Sequence, residues 1–561
     1  MVSALNPSHL KGHSTEPLIE KTIGAMLREA ALRWPVADAL VSAEQRVRWT
    51  FAELNDRVDA VAAGLLALGL EPGDRVGIWA PNCVEWTLTQ FATARAGLIQ
   101  VNINPSYRLA ELEYTLTKVG VKALIAANAF KGSDYLAMIE QLAPEIAGCR
   151  PGMLTATRLP RLRMVIKIGG EKRAGWLEFE GIRSVDQAPL RRIQEHLRAT
   201  DAINIQFTSG TTGLPKGATL SHRNILNNAF FIGQGIGLRA GDRVCIPVPL
   251  HHCFGMVAGN LACITHGATM VYPGAGFDAL ATLECIQSER CTVIYGVPTM
   301  FIAQLDHPEF HRFDLRSLRT GIMAGSPCPI EVMRRVVERM HAREMTIAYG
   351  MTETSPVSFH TASSDTLERR VSSVGQIHPH VEAKVIDAEG ATVPRGQRGE
   401  LCVRGYSVMI GYWDDLEKTA EVIDEQGWMH TGDLVTIDAA GYCNVVGRLN
   451  DMIIRGGENV YPREIEEFLF KHPGIADVAI VGLPHEKLGE EVCAWIKLRE
   501  GVTATQEEIR AYCRGQLAHY KVPGQVVFIA EFPLTATGKI QKFVIREQMM
   551  TRLGRSEQVT A

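Results

Sequence analysis

The sequence lacks several features that would assign it to a specialised class. Its 561 residues carry 58 Lys and Arg against 62 Asp and Glu, a net charge of −4, so no global field would gather nucleic acid or an anionic membrane. The cysteines include no CxxC pair, and neither a zinc site nor a disulfide framework has the spacing it needs. Hydrophobic residues at 46% and charged residues at 21% are typical of a globular chain, which excludes disorder, collagen and coiled coil.

The start of the chain carries no recognisable targeting signal. Glu16 and Glu20 interrupt it, no apolar stretch of the required length occurs, and the first arginine is Arg28, so neither a secretory signal nor a transit peptide is expected. Residues 244–277 contain no Asp, Glu, Lys or Arg, as a membrane span would. Prolines, an asparagine and three histidines interrupt this segment, which favours a buried strand, turn and helix lining an apolar cavity. We therefore expect a cytoplasmic protein.

Most of the chain alternates helical and extended patterns. A capping box at Thr50 opens an amphipathic stretch that ends at Gly69, and a β-like run follows at residues 75–79. The same helix-then-strand order recurs at residues 109–126 and 280–295. Repeated alternation of this kind is the signature of α/β layers, so the predicted fold class is α/β.

The pattern changes near Gly441, where short β-rich pieces and glycine pairs appear. A helix is predicted after Pro462, then two strands, then a helix opened by Thr505. About 110 residues follow position 450, which is enough chain for a small α+β domain. We therefore divide the chain into an N-terminal domain of residues 1–449 and a C-terminal domain of residues 450–561.

The sharpest local signal is a loop rich in glycine and hydroxyl groups. It consists of Thr208, Ser209, Gly210, Thr211, Thr212, Gly213, Leu214, Pro215, Lys216 and Gly217. Backbone N–H groups, hydroxyls and a lysine are what a polyphosphate binds, although an ordinary surface turn has a similar composition. Pro215 stands where the P-loop of NTPases requires glycine before the lysine, so a different nucleotide fold is implied.

Five further motifs follow this loop in a fixed order. They are Tyr349-Gly350-Met351-Thr352-Glu353, Gly432-Asp433, Gly447-Arg448, Gly456-Gly457-Glu458-Asn459 and Thr537-Gly538-Lys539. In this order and spacing the chain resembles the adenylate-forming enzymes, which comprise acyl-CoA synthetases, luciferases and peptide-synthetase adenylation domains. The resemblance covers about residues 22–550. It implies a large N-terminal domain of several subdomains with layered mixed sheets, and a small, mobile α+β C-terminal domain.

The resemblance also assigns the contacts to ATP. It implies that residues 208–217 hold the β- and γ-phosphates, that Glu353 binds Mg²⁺ and that Thr352 contacts the α-phosphate. A helix N-cap with a first-turn acid would explain Thr352 and Glu353 equally well without the family. The adenine and ribose contacts implied by the resemblance are Tyr349 with Gly350, the opposite wall of Gly325, Ser326 and Pro327, and the ribose ligands Asp433 and Arg448.

The C-terminal motifs imply two successive tasks. A carboxylate is a poor acyl donor because it is anionic, so the family first joins it to AMP as a mixed anhydride. Lys539 is expected to lie between the carboxylate and the α-phosphate and to lower their repulsion. The C-terminal domain is then expected to rotate about Asn450, where Asp or Lys is usual, and to present Gly456, Gly457 and Glu458 to coenzyme A.

The acid site is predicted within the uncharged segment. His252 resembles the gate beside the reacting carboxylate, whereas a buried, hydrogen-bonded histidine is the ordinary alternative. His251 occupies a position that is normally aromatic in the family. Residues 104–107, 251–254 and 324–327 look most like the medium-chain fatty acyl-CoA synthetase branch.

The leading functional prediction is an ATP-dependent acid–CoA ligase that makes acyl-CoA, AMP and pyrophosphate through an acyl-adenylate. Its substrates would be a carboxylic acid, ATP with Mg²⁺, and CoA, with a homodimer as one possible assembly. An adenylating enzyme that passes the acyl group to a carrier-protein thiol in trans is one alternative. A non-catalytic nucleotide-binding protein is another, and the presence of Lys539, Glu353, Asp433 and Arg448 together argues against it.

Overall fold

A computed structural model describes residues 6–208, 215–326, 328–455, 458–485, 488–514, 516–535 and 539–554. The strands of the first half are β1 (His9–Lys11), β2 (Asp38–Ser42), β3 (Val47–Thr50), β4 (Arg75–Trp79), β5 (Ile99–Asn102), β6 (Ala123–Ala126), β7 (Ala129–Phe130), β8 (Ser133–Asp134), β9 (Met164–Lys167), β10 (Leu177–Glu178), β11 (Ala202–Thr208), β12 (Lys216–Ser221), β13 (Arg243–Cys245) and β14 (Thr269–Tyr272). The later strands are β15 (Val293–Gly296), β16 (Thr320–Ala324), β17 (Glu344–Gly350), β18 (Val357–His360), β19 (Gln376–Ile377), β20 (Val381–Ile386), β21 (Arg398–Gly405), β22 (Gly411–Tyr412), β23 (Met429–Ile437), β24 (Cys443–Arg448), β25 (Ile453–Arg455), β26 (Glu458–Val460), β27 (Ile475–His485), β28 (Gly489–Leu498) and β29 (Gln525–Phe528).

The α-helices are α1 (Ile23–Arg33), α2 (Phe51–Ala67), α3 (Val84–Ala96), α4 (Leu109–Lys118), α5 (Tyr135–Leu142), α6 (Ala188–Gln194), α7 (His222–Gly235), α8 (Ala262–His266), α9 (Ala279–Ser288), α10 (Pro298–Leu305), α11 (Ile330–Arg339), α12 (Leu367–Ser372), α13 (Leu416–Val422), α14 (Pro462–Leu469), α15 (Gln506–Cys513) and α16 (Lys542–Leu553). Short 3₁₀-helices cover Pro144–Gly148, Phe179–Ile182, Phe310–Arg312, Thr352–Thr354, Leu449–Asp451 and His519–Lys521. A π-helix covers Phe254–Leu261 and continues directly into α8.

Two large mixed sheets form the body of the N-terminal part. The first large sheet has the strand order β10-β9-β6-β4-β5-β11-β12-β22, and the second has the order β19-β18-β17-β16-β15-β13-β14-β2-β3. In each, the interior strands are parallel and antiparallel strands stand at one or both edges. Interior strands such as β5 and β6 are buried along their whole length, as expected where helices cover both faces of a parallel sheet.

The two large sheets share one hydrophobic core. Ile78 on β4 and Met270 on β14 are both fully buried within the same cluster of apolar side chains, which also includes residues of α2 and α3. A third, five-stranded antiparallel sheet has the order β1-β20-β21-β23-β24 and packs its inner face on the second large sheet through a separate cluster. Close packing in these shared cores therefore fixes where the strand ends of one sheet lie relative to those of the next.

The C-terminal part has its own sheet. Strands β26, β25, β28 and β27 are antiparallel neighbours, and β29 pairs with β28 in parallel. One core lies under α14 and α15 and a second under α16, and both consist of residues that follow Asp451. The 3₁₀-helix Leu449–Asp451 joins this unit to β24.

The predicted α/β class with layered mixed sheets is confirmed. The capping boxes at Thr50 and Thr505 both form, and the predicted helices and strands at 51–79, 109–126 and 280–295 all occur. Residues 244–277 contain the expected strand, turn and helix, but that helix begins as a π-helix. Among the described helices, none is long and apolar enough to cross a membrane.

Candidate active site

The candidate active site lies where strands of the two large sheets end. Strand β11 of the first large sheet ends at Thr208, while β16 and β17 of the second end at Ala324 and Gly350. In parallel sheets, ligands bind at the carboxyl ends of the strands, and these ends carry the predicted phosphate loop and adenine contacts. Ser209, Gly210, Thr211, Thr212, Gly213, Pro327, Gly456 and Gly457 lie outside the described residues.

Glu353 is buried between the two large sheets. The Thr208 hydroxyl at the end of β11 and the Tyr412 hydroxyl on β22 each donate a hydrogen bond of 3.0 Å to its Oε1. Burial and the neighbouring carboxylate raise the pKa of Tyr412, so its hydroxyl stays protonated and can donate. Glu353 and Thr352 belong to a 3₁₀ turn directly after β17, and both are less than 8% exposed.

Lys216 and Gly217 form the other side of the predicted phosphate loop. Lys216 begins β12 opposite Thr208 of β11, so the ends of the loop are held as antiparallel neighbours. The Lys216 ammonium lies 5.1 Å from the centroid of the Tyr412 ring. Lys216 and Glu353 thus both contact Tyr412, and a cation at this end of the loop is suited to bind an anion.

Asp433 joins two of the predicted nucleotide contacts. Its Oδ1 accepts a 3.0 Å hydrogen bond from Arg448 Nε, and its Oδ2 accepts one from the Tyr349 hydroxyl. Asp433 on β23 and Arg448 on β24 are register partners, which explains why residues 15 positions apart meet. Burial and the Asp433 charge raise the pKa of Tyr349, which keeps this phenol a donor.

Gly350 and Gly325 bring backbone close to this site. A Cβ on Gly350 would lie 1.7 Å from the carbonyl oxygen of Pro356, so no other residue fits there. Gly325 has φ of +94°, and a Cβ there would lie 3.6 Å from Lys539 Cε. Lys539 of the C-terminal part thus lies against Gly325, which directly follows β16 and precedes Ser326.

The charges of other predicted site residues act on the pKa of Lys539. Burial first, and then repulsion from Arg448, lower its pKa, whereas Asp433 and Glu353 act in the opposite direction. The backbone of Lys539 is held by Thr535, whose hydroxyl accepts its N–H at 3.0 Å. A lysine fixed in this way is placed for interaction with an anion that enters between these groups.

His252 is neutral and has a defined tautomer. Burial, followed by the charges of Lys539 and His251, lowers its pKa to about 3. Its Nδ1 accepts the backbone N–H of Phe254 at 3.2 Å, so the ring hydrogen of the neutral form is on Nε2. His252 can therefore donate one hydrogen bond to an oxygen of a bound carboxylate.

Buried amides support the turn that carries His252. Asn102 on β5 donates to the carbonyl oxygen of His251 at 3.0 Å, and it in turn accepts hydrogen bonds from the side chains of Gln100 and Asn204. The Cys253 thiol donates to Gln206 at 3.3 Å. These contacts fix the start of the π-helix, a conformation that is frequent at functional sites.

The remaining predicted residue does not join this cluster in the described structure. Glu458 lies exposed on β26. Conversely, Tyr412, Gln206 and Cys253 were not predicted as site residues. Tyr412 contacts Glu353, and Gln206 contacts Cys253. The partners are 59 and 47 residues apart in sequence, so no local pattern indicates either contact.

Comparisons with known proteins agree with this architecture. The AMP-binding enzyme family matches residues 27–413, and the AMP-binding enzyme C-terminal domain matches residues 464–539. The medium-chain acyl-CoA ligase ACSF2, mitochondrial, of Danio rerio is 48% identical, with 99% of this chain and 92% of that protein covered. The putative acyl-CoA synthetase YngI of Bacillus subtilis (strain 168) is 46% identical, with 95% of this chain and 97% of that protein covered.

A solved structure has the same fold over almost the whole chain. The anthranilate CoA ligase AuaEII, in complex with anthranoyl-AMP, superposes with a TM-score of 0.84 at 28% identity, covering 96% of this chain and 99% of that one. The chain belongs to the AMP-binding enzyme family. The leading functional prediction is thereby confirmed: the protein is an AMP-forming acid–CoA ligase that uses ATP and CoA.

Proposed function

We propose that this ligase activates medium-chain fatty acids, with Mg²⁺·ATP bound between the two large sheets. The observation that carries the proposal is the approach of Lys539 to the Gly325 turn, beside the groups that surround Glu353 and Asp433. This approach supports an orientation of Lys539 that suits the adenylation step.

Glu353 is proposed as the Mg²⁺ ligand. Within the described residues both of its side-chain hydrogen bonds end on Oε1, which leaves Oε2 to a cation. A buried carboxylate held by two hydroxyl donors suits a hard ion that keeps several waters. Bound there, Mg²⁺ would neutralise phosphate charge, while Thr208, Lys216, Gly217 and the rest of the loop would hold the β- and γ-phosphates.

The nucleoside is proposed to bind beside Asp433. The Asp433 carboxylate can accept hydrogen bonds from both ribose hydroxyls if the Tyr349 hydroxyl moves away from it. Arg448 would then contact the other edge of the ribose. The Tyr349 ring and the turn of Gly325, Ser326 and Pro327 would enclose the adenine, and Gly350 would allow close approach. Thr352 would contact the α-phosphate.

Lys539 and His252 are proposed to act on the reacting anions. The carboxylate and the α-phosphate repel each other, and the Lys539 ammonium placed between them would lower that repulsion as oxygen attacks phosphorus. His252, which is neutral with hydrogen on Nε2, would donate to the carboxylate and orient it. Lys539 would thus neutralise charge, and His252 would position the carboxylate.

The second half-reaction is proposed to require domain rotation. The C-terminal sheet and its two cores are self-contained after Asp451, which supports residues 1–449 and 450–561 as separate domains with Asn450 as hinge. Rotation would withdraw Lys539 and bring Gly456, Gly457 and Glu458 to the acyl-adenylate, where CoA attacks.

The choice of a medium-chain acid rests on the uncharged segment 244–277 and on the names of similar proteins. Residues 244–277 provide no cation for a second carboxylate, and the π-helix supplies apolar side chains such as Phe254, whose ring stacks on Tyr295 at 5.5 Å. The relative from Danio rerio is named a medium-chain acyl-CoA ligase. Transfer to a carrier-protein thiol would share the adenylation step and differ in the thiol that accepts the acyl group.

Location and assembly stay predictions. The described residues contain no helix able to span a membrane, and we keep the cytoplasm as the proposed location. The relative from Danio rerio is named mitochondrial, so fractionation of cells that express the full chain is the appropriate test. Light scattering of the purified protein would test the homodimer.

Pyrophosphate release tests the proposed substrate. Linear acids of two to sixteen carbons, and benzoate, are supplied with ATP and Mg²⁺, with and without CoA. A CoA-dependent maximum among medium-chain acids is expected. A maximum at another length would contradict the substrate, and a CoA-independent burst without turnover would indicate another thiol acceptor.

Variants separate the two half-reactions. Lys539→Ala should reduce acyl-adenylate formation by orders of magnitude and leave thioester formation from supplied acyl-AMP much less affected. Gly457→Trp should do the reverse, because a bulky side chain would block the thiol. Equal losses of Lys539→Ala in both half-reactions would contradict the role assigned to this lysine.

A further inference from the structure

Three metal-ligating side chains, none of them assigned to the reaction, meet on the five-stranded antiparallel sheet. Glu400 and Cys402 lie on β21 and His430 lies on β23. Cys402 and His430 are register partners, and Glu400, two residues before Cys402, shares its face of the strand. No CxxC pair was available to indicate such a site, because its donors come from two strands.

The distances between the donors suit one small cation. His430 Nδ1 lies 3.0 Å from Glu400 Oε2 and 3.6 Å from Cys402 Sγ, and all three donor atoms lie within 4.8 Å of one another. Tetrahedral zinc, with bonds of about 2.0–2.1 Å to nitrogen and oxygen and about 2.3 Å to sulfur, separates nitrogen from sulfur by roughly 3.6 Å and from oxygen by roughly 3.3 Å. Movements of a few tenths of an ångström would therefore complete the coordination.

The charge and exposure of the cluster also suit a dication. A Glu400 carboxylate, a Cys402 thiolate and a neutral His430 carry two negative charges together, which balance Zn²⁺. Cys402 is fully buried, whereas the side chains of Glu400 and His430 are 19% and 33% exposed, so a cation can enter from solvent. A water molecule can then take the fourth position.

The thiol must lose its proton when the cation binds. Burial first, and then the Glu400 charge, raise the pKa of Cys402 to about 12, while Lys384 acts in the opposite direction. Coordination therefore forms the bond between the metal and sulfur and releases one proton to solvent. Two cationic side chains neighbour the cluster. Lys384 and Arg404 lie 4.5 Å and 4.4 Å from the centroid of the Trp428 ring, so each makes a favourable cation–π contact.

We propose that Glu400, Cys402 and His430 form a site for Zn²⁺ or a similar borderline-soft divalent cation, distinct from the Mg²⁺ site. Glu400 also accepts the backbone N–H of Gly432 at 3.1 Å through its Oε1. Gly432 directly precedes Asp433, so a cation that holds Glu400 and His430 stabilises the strand that carries the proposed ribose ligand. The site is a structural one, and none of its three ligands is among the proposed contacts to ATP.

Metal titration of the full-length protein tests this site. The chain is first freed of metal with a chelator, and Co²⁺ serves as a coloured substitute for Zn²⁺. We expect one equivalent to bind with a near-ultraviolet charge-transfer band from thiolate to cobalt, and Zn²⁺ to displace it. Zn²⁺ should also raise the Tm, because it binds the folded state.

Variants identify the ligands. Cys402→Ser should abolish the charge-transfer band, and His430→Gln should weaken Zn²⁺ binding by at least about tenfold and remove the rise in Tm. Circular dichroism shows whether each variant is folded, and His430→Gln, at a partly exposed position, keeps the test independent of the buried cysteine. Cys443→Ser is the matched control, since this buried thiol lies on the neighbouring strand β24 and should leave binding intact.

Three outcomes would overturn the proposal. The first is the absence of saturable Co²⁺ or Zn²⁺ binding to the wild-type chain. The second is unchanged affinity in folded His430→Gln. The third is a charge-transfer band that persists in Cys402→Ser and disappears in Cys285→Ser, which would place the metal among the buried thiols of Cys245, Cys285 and Cys291.

Discussion

The Tyr412 hydroxyl donates a 3.0 Å hydrogen bond to Glu353 Oε1, so a residue on the edge of the first large sheet orients the proposed metal ligand beside the second. The same oxygen accepts from Thr208 at the end of β11. The position of Glu353 therefore depends on both sheets. This dependence makes Tyr412 a positioning residue that a variant can test.

Tyr412→Phe should weaken ATP-dependent adenylation. Loss of a hydrogen bond to a carboxylate typically costs about 1.5–3 kcal/mol, which corresponds to roughly 10- to 150-fold in rate or affinity. Pyrophosphate exchange measured as a function of Mg²⁺ concentration should show a higher Mg²⁺ requirement. Tyr406→Phe is the control, because this buried tyrosine contacts Asn228. Equal Mg²⁺ dependence in both variants would contradict the positioning role.

The lowered pKa of Lys539 predicts an alkaline limit to adenylation. Its charge is lost at a lower pH than that of an ordinary lysine, so kcat/KM for ATP should fall as pH rises through that lowered pKa. Lys539→Arg keeps its charge throughout this range and should move the alkaline decline upward, at a lower maximum rate. An identical decline in wild type and Lys539→Arg would show that another group titrates.

Gly325→Ala should reduce adenylation and stability together. Its φ of +94° is unfavourable for alanine by about 1–2 kcal/mol. The new Cβ would also lie 3.1 Å from Val297 and 3.6 Å from Lys539. Gly396→Ala is the matched control, since Gly396 has φ of +83° with nothing within 4 Å of the added atom. Thermal melting should show a loss in both variants, and the adenylation assay a loss in Gly325→Ala alone.

His222 predicts acid sensitivity. It is 1% exposed, its Nδ1 accepts the Ile23 N–H at 3.2 Å, and burial lowers its pKa to about 3. Below pH 6.5 the unfolded chain binds a proton at this residue and the folded chain does not, so stability falls by about 1.4 kcal/mol per pH unit down to that lowered pKa. His222→Asn keeps the acceptor without the titration.

The comparison of melting temperatures checks this histidine. Any Tm difference between wild type and His222→Asn at pH 8 should shift in favour of the variant as the pH falls towards 5. A difference that stays constant with pH would contradict the assignment. Below that range carboxylates begin to titrate as well, so the comparison is made above pH 4.5.

Local patterns were sufficient to predict much of the fold. Capping boxes at Thr50 and Thr505, and apolar periodicity, depend on residues close in sequence, and both helices begin where predicted. The π-helix at Phe254–Leu261 was not predicted, because a run that is apolar on every side has no period to indicate its winding. The motifs in order indicated a family, whose solved members share the layered sheets.

Contacts between distant strands could not be predicted in this way. Tyr412 meets Glu353 only because β22 pairs with β12 beside β11. Asp433 and Arg448 meet through the register of β23 and β24, although each was singled out by its own motif. Cysteine spacing gave no indication of the Glu400, Cys402 and His430 cluster, because two strands supply it. The register between two strands is set when the sheet assembles, and it cannot be deduced from a single sequence.

The C-terminal sheet carries a hydrophobic core on each face, and both cores are drawn from residues after Asp451. Such a unit loses little apolar burial when it turns relative to the rest of the chain. We expect such a unit to tolerate exchange: replacing residues 450–561 with those of a relative should change the proposed CoA contacts and leave the proposed acid site beside the π-helix unchanged. The acid and the thiol acceptor could then be changed independently by engineering one part of the chain at a time.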